Sequence, residues 1–393
     1  MLVLAGLVLL GWVVQAVLAV RIVRAVPSLA TLPKAQRASW PRISMVVPAR
    51  DEARGIAAAL ASKLACGYPD LEVVAVDDRS RDATGALIDA AAAADARVVP
   101  VHVTELPDGW LGKLNAMARG LERCTGEWVL FSDADVHVEP GTLERIVAWA
   151  DREQVDFVAA FPKMHPVSML IDAALVVMMR VLVITGRGWR ANDDASGLGV
   201  GVGAFGLARR GALQKTRAIE HLRMEVVDDV ALGALLKGAG YRCRFFAGRE
   251  DLHIVFQDSL GAMARSTDKA GGLVGFTLWG ALLAAFAGPA LDLAVPLAAI
   301  AHGGVARTLG VATLALITAT QALLMHHFRG PVRGVVAWPL GQLLMAAFML
   351  RAGLKAWRDQ GISWRHTFYP RAVLEAGRRL DPRTMKVRLP PEG

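Results

Sequence analysis

The stretch from Glu127 to Pro140 reads Glu-Trp-Val-Leu-Phe-Ser-Asp-Ala-Asp-Val-His-Val-Glu-Pro. Its apolar run Trp128–Phe131 predicts a short buried strand, which ends at Asp133 and Asp135. Alternate residues of an extended chain point the same way, so both carboxylates are expected on one side. Such a pair is costly at the end of a buried strand unless a cation lies between them. Mg²⁺ typically binds through one or two carboxylates and substrate phosphates. The alternative is a strand that ends in a solvated acidic turn.

Composition and charge indicate a membrane partner. The chain has 393 residues, enough for two domains or for one domain with a membrane part, and 54% of them are hydrophobic. Mean hydropathy is +0.38. The net charge of +8 divides into +5 at 21–42, +6 at 351–393 and −3 at 43–350. Basic residues beside apolar segments are typical of the cytoplasmic membrane surface. A nucleic-acid-binding protein would carry its charge on the folded domain, so we expect no nucleic acid.

The first residues predict a membrane anchor. Residues 1–20 are uncharged and apolar, and Arg21 and Arg24 follow them. This segment has no basic start and no clear cleavage site, which favours an uncleaved anchor helix at 1–24 with its carboxyl end in the cytoplasm; a cleaved signal peptide is the alternative. A basic, proline-punctuated linker is expected at 25–42. The three cysteines have no metal-site spacing and an odd number, so we expect a reducing compartment and no disulfide framework.

Strands and Ala-rich helices alternate after the linker. Strands are predicted at 43–48, 71–76 and 97–103, with helices between them, and a further strand at 156–161. This alternation predicts an α/β domain with a mostly parallel sheet and helices on both faces. Such sheets bind ligands beyond the carboxyl ends of their strands. Acidic residues follow three of the predicted strands at those ends: Asp51, Asp77 with Asp78, and Asp133 with Asp135. This coincidence predicts a nucleotide site.

Three later segments carry candidate site residues. Gly109-Trp-Leu-Gly-Lys-Leu-Asn115 precedes a predicted helix at 114–124, where Lys113 near the first turn would suit a phosphate. Gly197 to Ala204 alternates glycine with apolar residues and predicts a strand whose glycines permit close backbone approach to a ligand or a neighbouring strand. Asp228 and Asp229 open a helix that ends near residue 238, where they are either helix caps or site residues.

The last third of the chain is membrane-like. Candidate spans are 273–291, 308–325 and 335–350, and 293–300 is either a fourth or a re-entrant piece. The charges in 164–189 favour a helix lying on a membrane or a core helix over a span. We expect transmembrane helices over 271–353 and a basic cytoplasmic tail over 354–393, for which binding to anionic lipid is the simplest role.

Four motifs in order resemble a known family. They are Val-Val-Pro-Ala-Arg-Asp-Glu, Val-Asp-Asp-Arg-Ser, Ser-Asp-Ala-Asp and Val-Val-Asp-Asp-Val-Ala-Leu-Gly. Together they resemble family 2 glycosyltransferases of the GT-A fold, over residues 43–270. With apolar segments on both sides, the chain is similar to membrane-bound bacterial lipid glycosyltransferases. These include hopanoid-associated enzymes, which share the Gly-Trp-x-Gly-Lys feature, and the ceramide glucosyltransferase group.

The resemblance implies a role for each matching residue. Pro48, Arg50, Asp51 and Glu52 would line the uridine end of a sugar nucleotide, and Asp77 and Asp78 would contact base and ribose. Lys113, Asn115 and Asp133 would face the donor, Asp133 and Asp135 would bind Mg²⁺ or Mn²⁺, and Asp229 would be the catalytic base. The family often has Asn in place of Asp51. Residues 257–261 do not match the family's Gln/Arg-x-x-Arg-Trp motif, which argues against a processive synthase; Arg265 and Lys269 are candidates to replace its charge.

The implied reaction is transfer of a hexose, with inversion, from a nucleotide sugar, expected to be UDP-linked, to a lipid or another membrane-associated hydroxyl. The enzyme would lie in the bacterial inner membrane as a multi-pass protein with a cytoplasmic catalytic domain. Two alternatives come from other classes. One is a nucleotidyl- or phosphosugar transferase, for which Arg50 and Arg54 give thin support. The other is a non-catalytic membrane scaffold, against which intact Asp133, Asp135 and Asp229 count.

Overall fold

The computed structural model describes residues 1–34 and 36–390 of the chain. It divides into two compact units. Among the described residues, the sheet unit comprises 26–34, 36–163, 190–254 and 375–390, and the helical unit comprises Met1–Ala25, Met164–Trp189 and Val255–Leu374. The end of the expected tail, 391–393, and residue 35 of the expected linker lie outside the described residues.

The elements are numbered in chain order. The strands are β1 (Ile43–Ala49), β2 (Leu71–Asp78), β3 (Val98–Val103), β4 (Trp128–Phe131), β5 (Val136–Val138), β6 (Phe157–Met164), β7 (Gly206–Arg209), β8 (Cys243–Ile254), β9 (Gly361–Trp364), β10 (Thr367–Pro370), β11 (Leu380–Asp381) and β12 (Lys386–Val387). The α-helices are α1 (Leu2–Ala25), α2 (Ile56–Leu64), α3 (Thr84–Ala94), α4 (Gly112–Leu121), α5 (Thr142–Arg152), α6 (Met169–Thr185), α7 (Arg210–Lys215), α8 (Ala218–His221), α9 (Asp228–Gly238), α10 (Leu260–Thr267), α11 (Leu278–Pro289), α12 (Val295–His302), α13 (Gly304–Phe328), α14 (Trp338–Asp359) and α15 (Arg371–Gly377).

An eight-stranded sheet in the order β3-β2-β1-β4-β7-β6-β8-β5 organises the sheet unit. Strands β1 to β4 form its parallel half, with β1 paired to β2 and β4, and β2 paired to β3. The other half holds antiparallel pairs, β4 with β7, β6 with β7 and β5 with β8. The sheet is therefore mixed. Its parallel half brings the carboxyl ends of β1, β2 and β4 to one edge.

Helices cover both faces of this sheet, as the alternating pattern predicts. On one face Met45 and Val73 share a core with Ile56 of α2, Ile88 of α3 and Ile146 of α5. On the other face α4 lies against β1 and β2, because a Cβ at Gly120 would stand 2.5 Å from Val46 Cγ1 and 3.1 Å from Val76 Cγ2. The sheet strands are consequently buried on both sides, which explains their continuous apolar sequence.

In the helical unit, three helices among the described residues are long and apolar enough to cross a membrane, by length and composition. They are Leu2–Ala25, Leu278–His302 and Gly304–Phe328. The first contains the predicted anchor. The second merges the candidate segments 273–291 and 293–300 into one span, through a π-helical turn at Ala290–Ala294.

The candidate span at 335–350 lies largely in α14, which is not among the three candidate spans found in the described part of the chain. The cause is visible in its composition, because Gln342 interrupts the apolar run and Arg351, Lys355 and Arg358 follow within the same helix. Instead α14 packs tightly on α6, where a Cβ at Gly341 would stand 2.1 Å from the backbone oxygen of Ala173.

Two segments fall in units that the sequence did not assign to them. Met164–Trp189, within the expected 43–270 domain, belongs to the helical unit. Its helix α6 packs on α14 and is mostly buried, which agrees with the core-helix alternative. Residues from Glu375 onward, within the expected tail, belong to the sheet unit. There buried Glu225 accepts hydrogen bonds from the backbone nitrogens of Arg379 (2.8 Å) and Leu380 (2.9 Å).

Candidate active site

A small pocket lies at the carboxyl ends of β1 and β4. Its polar lining residues are Lys113, Ser132, Asp133, Asp228 and Asp229, and its remaining lining residues are Pro48, Met117, Phe131, Phe157, Val202, Gly203, Gly206 and Leu232. Four residues singled out in the sequence for chemistry, Lys113, Asp133, Asp228 and Asp229, thus meet in one place. Their positions in the chain span more than a hundred residues.

Lys113 lies among the acidic residues of the pocket. Its Nζ atom is 3.2 Å from Asp133 Oδ1 and 3.4 Å from Asp228 Oδ2. Burial lowers the pKa of Lys113, but the charges of Asp133, Asp228 and Asp229 raise it by a larger amount. The pKa therefore lies above its ordinary value. The ammonium group therefore stays protonated. One cation facing three carboxylates leaves the pocket with an excess of negative charge.

Asp229 is held by backbone groups on both carboxylate oxygens. Oδ2 accepts a hydrogen bond from the Gly203 nitrogen (2.8 Å), and Oδ1 accepts one from the Val230 nitrogen (2.8 Å). These bonds fix the carboxylate in the pocket wall. Each oxygen retains acceptor capacity for a further hydrogen bond, since an ionised carboxylate offers about four lone-pair sites.

Asp228 and Asp229 do not act as the N-cap of α9. The N-cap residue is Val227, and it makes no side-chain capping bond. Asp228 is buried and faces Lys113, whereas Asp229 is half-buried and faces Gly203. The two adjacent side chains therefore diverge, as expected for neighbours in a helical turn.

The glycine-rich segment 197–204 is not a strand, contrary to the sequence prediction; β7 begins after it, at Gly206. Its glycines lie against α9 instead. A Cβ at Gly201 would stand 1.8 Å from the Asp229 backbone oxygen, so no side chain fits there. At Gly203 a Cβ would approach Asp133 Oδ2 and Asp229 Oδ2, both at 3.3 Å. Close backbone approach, rather than strand pairing, explains these glycines.

A second cluster joins the ends of β1 and β2. Arg50 Nη1 is 3.8 Å from Asp78 Oδ2, and both residues are buried. Arg79 Nε donates to Asp78 Oδ1 at 2.8 Å. Gly112, which precedes Lys113, lies beside this cluster, since its Cβ would stand 2.8 Å from Asp78 Oδ2. The start of α4 thus links the Arg50 cluster to the pocket.

The other expected donor residues lie outside the pocket lining. The Asp51 nitrogen donates to Ser80 Oγ (3.0 Å), and Asp77 Oδ1 accepts from the Ser80 nitrogen (3.2 Å). The Glu52 nitrogen donates to Thr84 Oγ1 at 2.8 Å. These contacts tie the loops after β1 and β2 together. Asn115 is buried, and its amide nitrogen has no hydrogen-bond partner in the part of the chain that the structure describes.

The Asp133-Ala134-Asp135 turn suits a divalent cation. Asp135 is exposed, and partial desolvation together with the nearby charge of Asp133 raises its pKa above the ordinary value. Repulsion between these carboxylates would be relieved by a bound cation. No group of three or more His, Cys, Asp or Glu that could hold a metal occurs among the described residues. A metal here would therefore depend on this pair and on ligand oxygens, as Mg²⁺ commonly does.

Sequence reasoning missed Lys63. This residue is completely buried on α2, and its Nζ donates to Ser132 Oγ and to the backbone oxygens of Asp133 and Val136. Burial lowers its pKa to about 8, against the opposing charges of Asp135 and Asp133. A signal was present, because Ile56, Leu60 and Lys63 share the apolar spacing of one helix face, where a lysine is out of place.

The chain contains a family 2 glycosyltransferase domain. Residues 44–215 match the family described as "Glycosyl transferase family 2", which confirms the family expected from the four motifs.

Two curated relatives match short stretches. A succinoglycan biosynthesis protein, ExoO, of Rhizobium meliloti (strain 1021) is 34% identical over 111 residues, which are 28% of this chain and 30% of that protein. An undecaprenyl-phosphate 4-deoxy-4-formamido-L-arabinose transferase of Pseudomonas fluorescens (strain Pf0-1) is 33% identical over 114 residues, which are 28% of this chain and 32% of that protein. The chain thus spans about a third of the length of these relatives.

A solved structure supports the fold. The mannosyltransferase PcManGT from Pyrobaculum calidifontis, in complex with GDP-Man and Mn²⁺, is 20% identical and has a TM-score of 0.53, with 91% of this chain and 99% of that one covered. At this identity the similarity concerns the fold alone. The predicted GT-A fold is confirmed.

Proposed function

We propose that this chain is a membrane-associated inverting glycosyltransferase that moves a hexose from a nucleotide sugar to a lipid hydroxyl or lipid phosphate. The observation that carries the proposal is the meeting of Lys113, Asp133, Asp228 and Asp229 in one pocket of a family 2 domain. An acidic pocket with one cation suits a metal–diphosphate ligand, because such a ligand brings both positive charge and phosphate oxygens.

The donor would extend from the pocket to the Arg50 cluster. In this arrangement the sugar and diphosphate occupy the pocket beside Lys113 and Asp133, with Pro48 in its wall. The nucleoside lies toward Arg50 and Asp78. The short path along Gly112, between the cluster and the pocket, supports this direction. The two loops that flank the nucleoside would be shaped by Asp51, Glu52 and Asp77. Asn115 would contribute from its position on α4.

The chemistry of this chain's residues follows from charge. The acceptor oxygen attacks the anomeric carbon, the bond from that carbon to the diphosphate breaks, and the nucleoside diphosphate leaves with the electron pair. When the acceptor is a hydroxyl, Asp229 takes its proton through a free lone pair as attack proceeds; an ionised lipid phosphate has no proton to lose. The Lys113 ammonium stabilises the negative charge that develops on the leaving oxygens. One in-line displacement inverts the anomeric carbon and needs no covalent intermediate.

Asp133 and Asp135 would hold a divalent cation, Mg²⁺ or Mn²⁺. When bound, it would supply Lewis-acid stabilisation of the leaving diphosphate. The raised pKa of Asp135 supports this assignment, because a carboxylate beside another gains most from a cation.

The acceptor and the location are supported by composition and similarity. One relative's name specifies undecaprenyl phosphate, and three helices are candidate membrane spans. We propose a multi-pass protein of the bacterial inner membrane with the sheet unit in the cytoplasm. A cysteine placed at Ser39 should then resist impermeant thiol reagents in sealed cells and react after permeabilisation. Labelling from outside the cell would contradict the proposal.

The central experiment is a donor and product assay on the purified full-length protein. UDP- and GDP-linked hexoses are supplied with Mn²⁺ and lipid extract, and the released nucleotide is identified. Release of a nucleoside diphosphate together with a new glycolipid in mass spectra is the expected result. Release of pyrophosphate or a nucleoside monophosphate would indicate nucleotidyl or phosphosugar transfer. No turnover of any donor would favour a scaffold.

A further inference from the structure

Lys63 is a buried charge that the proposed reaction does not use. Its side chain is 0% exposed, and it lies on the core-facing side of α2. Burying an ammonium group is costly unless hydrogen bonds and nearby negative charge compensate it. An apolar side chain would fill this position at no such cost. The lysine therefore needs a reason other than packing.

All three hydrogen-bond acceptors of Lys63 lie in one short turn. Nζ donates to Ser132 Oγ at 3.1 Å, to the Asp133 oxygen at 2.9 Å and to the Val136 oxygen at 2.9 Å. Ser132 directly follows β4, and Val136 is the first residue of β5. The ammonium group thus fastens the turn at its beginning and at its end. Asp133 and Asp135 lie between these two points.

We propose that Lys63 is a positioning residue whose ammonium group holds the Ser132–Val136 turn in the shape that presents the Asp133 and Asp135 carboxylates to one divalent cation. This inference rests on the proposed function, because it takes these two residues as the metal site. Lys63 binds the turn through the Ser132 hydroxyl and two backbone oxygens, so it occupies neither carboxylate. Without the lysine, the two like charges would separate and the turn would relax.

A neighbouring residue offers a matched control. Ser62 precedes Lys63 on α2, and its Oγ hydrogen-bonds His137 Nδ1 at 2.6 Å. His137 is on β5, beyond the turn. Ser62→Ala therefore removes a contact between the same helix and the adjacent strand but leaves the turn's three bonds intact. Differences between the two variants report on the turn itself.

The test measures Mn²⁺ affinity directly. Mn²⁺ is titrated into the full-length protein in detergent, with saturating UDP or GDP, whichever the unaltered protein binds, and free Mn²⁺ is followed by electron paramagnetic resonance. Lys63→Met should weaken Mn²⁺ binding by about 10–100-fold, as is typical when a group that orients metal ligands is lost. Ser62→Ala should change it by less than about twofold. Nucleotide affinity without metal should stay the same in both variants.

Kinetics separate positioning from general damage. The apparent KM for Mn²⁺ should rise in Lys63→Met, and excess Mn²⁺ should restore most of kcat. A merely damaged fold would not respond to metal. A folded Lys63→Met protein with unchanged Mn²⁺ affinity would overturn the proposal. If Lys63→Met does not fold, Lys63→Gln keeps a shorter donor and is measured in its place; normal Mn²⁺ affinity in that variant, or failure of both variants to fold, would also overturn it.

The unaltered protein distinguishes the two proposals. If it binds no Mn²⁺ with either nucleotide, the metal role in the proposed function fails before any variant is made. If it binds Mn²⁺ and Asp135→Ala does not, while Lys63→Met matches the unaltered protein, the proposed function stands and the role of Lys63 alone is wrong.

Discussion

Two groups of charges, one in each unit, differ in their balance. In the pocket of the sheet unit, the Lys113 side chain pairs with the carboxylates of Asp133 and Asp228, and Asp229 adds a third carboxylate. In the helical unit, Arg180 Nη2 pairs with Asp292 Oδ2 at 2.9 Å, one cation to one anion. The pocket is open to a ligand, whereas the second group is closed by its own partners.

The helical group also makes several polar contacts with neutral side chains. Trp12 Nε1 donates to Asp292 Oδ1 at 3.1 Å, and Arg180 Nη1 donates to Gln15 Oε1 at 3.0 Å. Gln342 Oε1 accepts from Arg180 Nη2 at 3.4 Å. We interpret the balanced, buried pair as structural and the unbalanced, partly exposed group as a candidate ligand site. Variants in each group test this distinction.

The largest effect is expected at Asp133 and Asp135, the proposed metal ligands. Asp135→Ala should abolish transfer and metal-dependent nucleotide binding, because one carboxylate alone holds a divalent cation poorly. Excess chelator should do the same to the unaltered protein in a radiolabelled-sugar transfer assay. Glu139→Ala is the control, since this exposed acid lies in the same stretch and contacts His253 instead. Full activity in chelator would refute the metal role.

The next effect separates the two adjacent acids of α9. Asp229→Asn should lower kcat by ~10²–10⁴ with nearly normal nucleotide affinity, because it removes the proton acceptor. Asp228→Asn should keep substantial activity, because it removes one ion pair with Lys113 but leaves the proton acceptor in place. Single-turnover rates and nucleotide titrations measure both. If Asp228→Asn were inactive and Asp229→Asn active, the catalytic base would be Asp228. If both variants kept near-normal rates, the base would not lie on α9.

The helical group should respond in stability. Arg180→Met leaves Asp292 buried without its cation, a change that typically costs about 3–5 kcal/mol. The apparent unfolding temperature in detergent should therefore fall. The double variant Arg180→Met with Asp292→Leu should recover most of the loss, since no unpaired charge remains. A double variant as unstable as the single one would mean that the unpaired charge of Asp292 does not cause the loss of stability.

The smallest effect concerns pH and the loop beside Asp77. Hydrogen bonding to Asp89, and then to Asp77, raises the pKa of His102 above its ordinary value of 6.5. Its stabilising contribution is therefore complete below pH 6.5 and is lost as pH rises through the raised value. The half-exposed pair is screened by solvent, so the difference from His102→Gln should be less than about 2 °C in unfolding temperature. A difference that does not shrink between pH 6 and pH 9 would contradict this assignment.

Much of the sheet unit was predictable from local patterns. The apolar runs that became β1, β2 and β4 and the acids that follow them placed a site at one sheet edge. Asp228 was correctly expected at the start of a helix. The prediction of a strand at 197–204 was wrong, because the alternation of glycine with apolar residues is compatible with a strand as well as with the loop that the structure has there. The missing information was the contact of Gly201 with the α9 backbone.

By itself the sequence determined the family, the GT-A sheet, and the acidic residues gathered at its edge, because alternation and motif order are local and survive without knowledge of packing. The tertiary structure decided which acids share Lys113, that Gly203 donates to Asp229, and that Lys63 binds the turn between β4 and β5. It also decided that residues 375–390 belong to the sheet unit. These features depend on contacts between residues far apart in the chain, and no local pattern encodes such contacts.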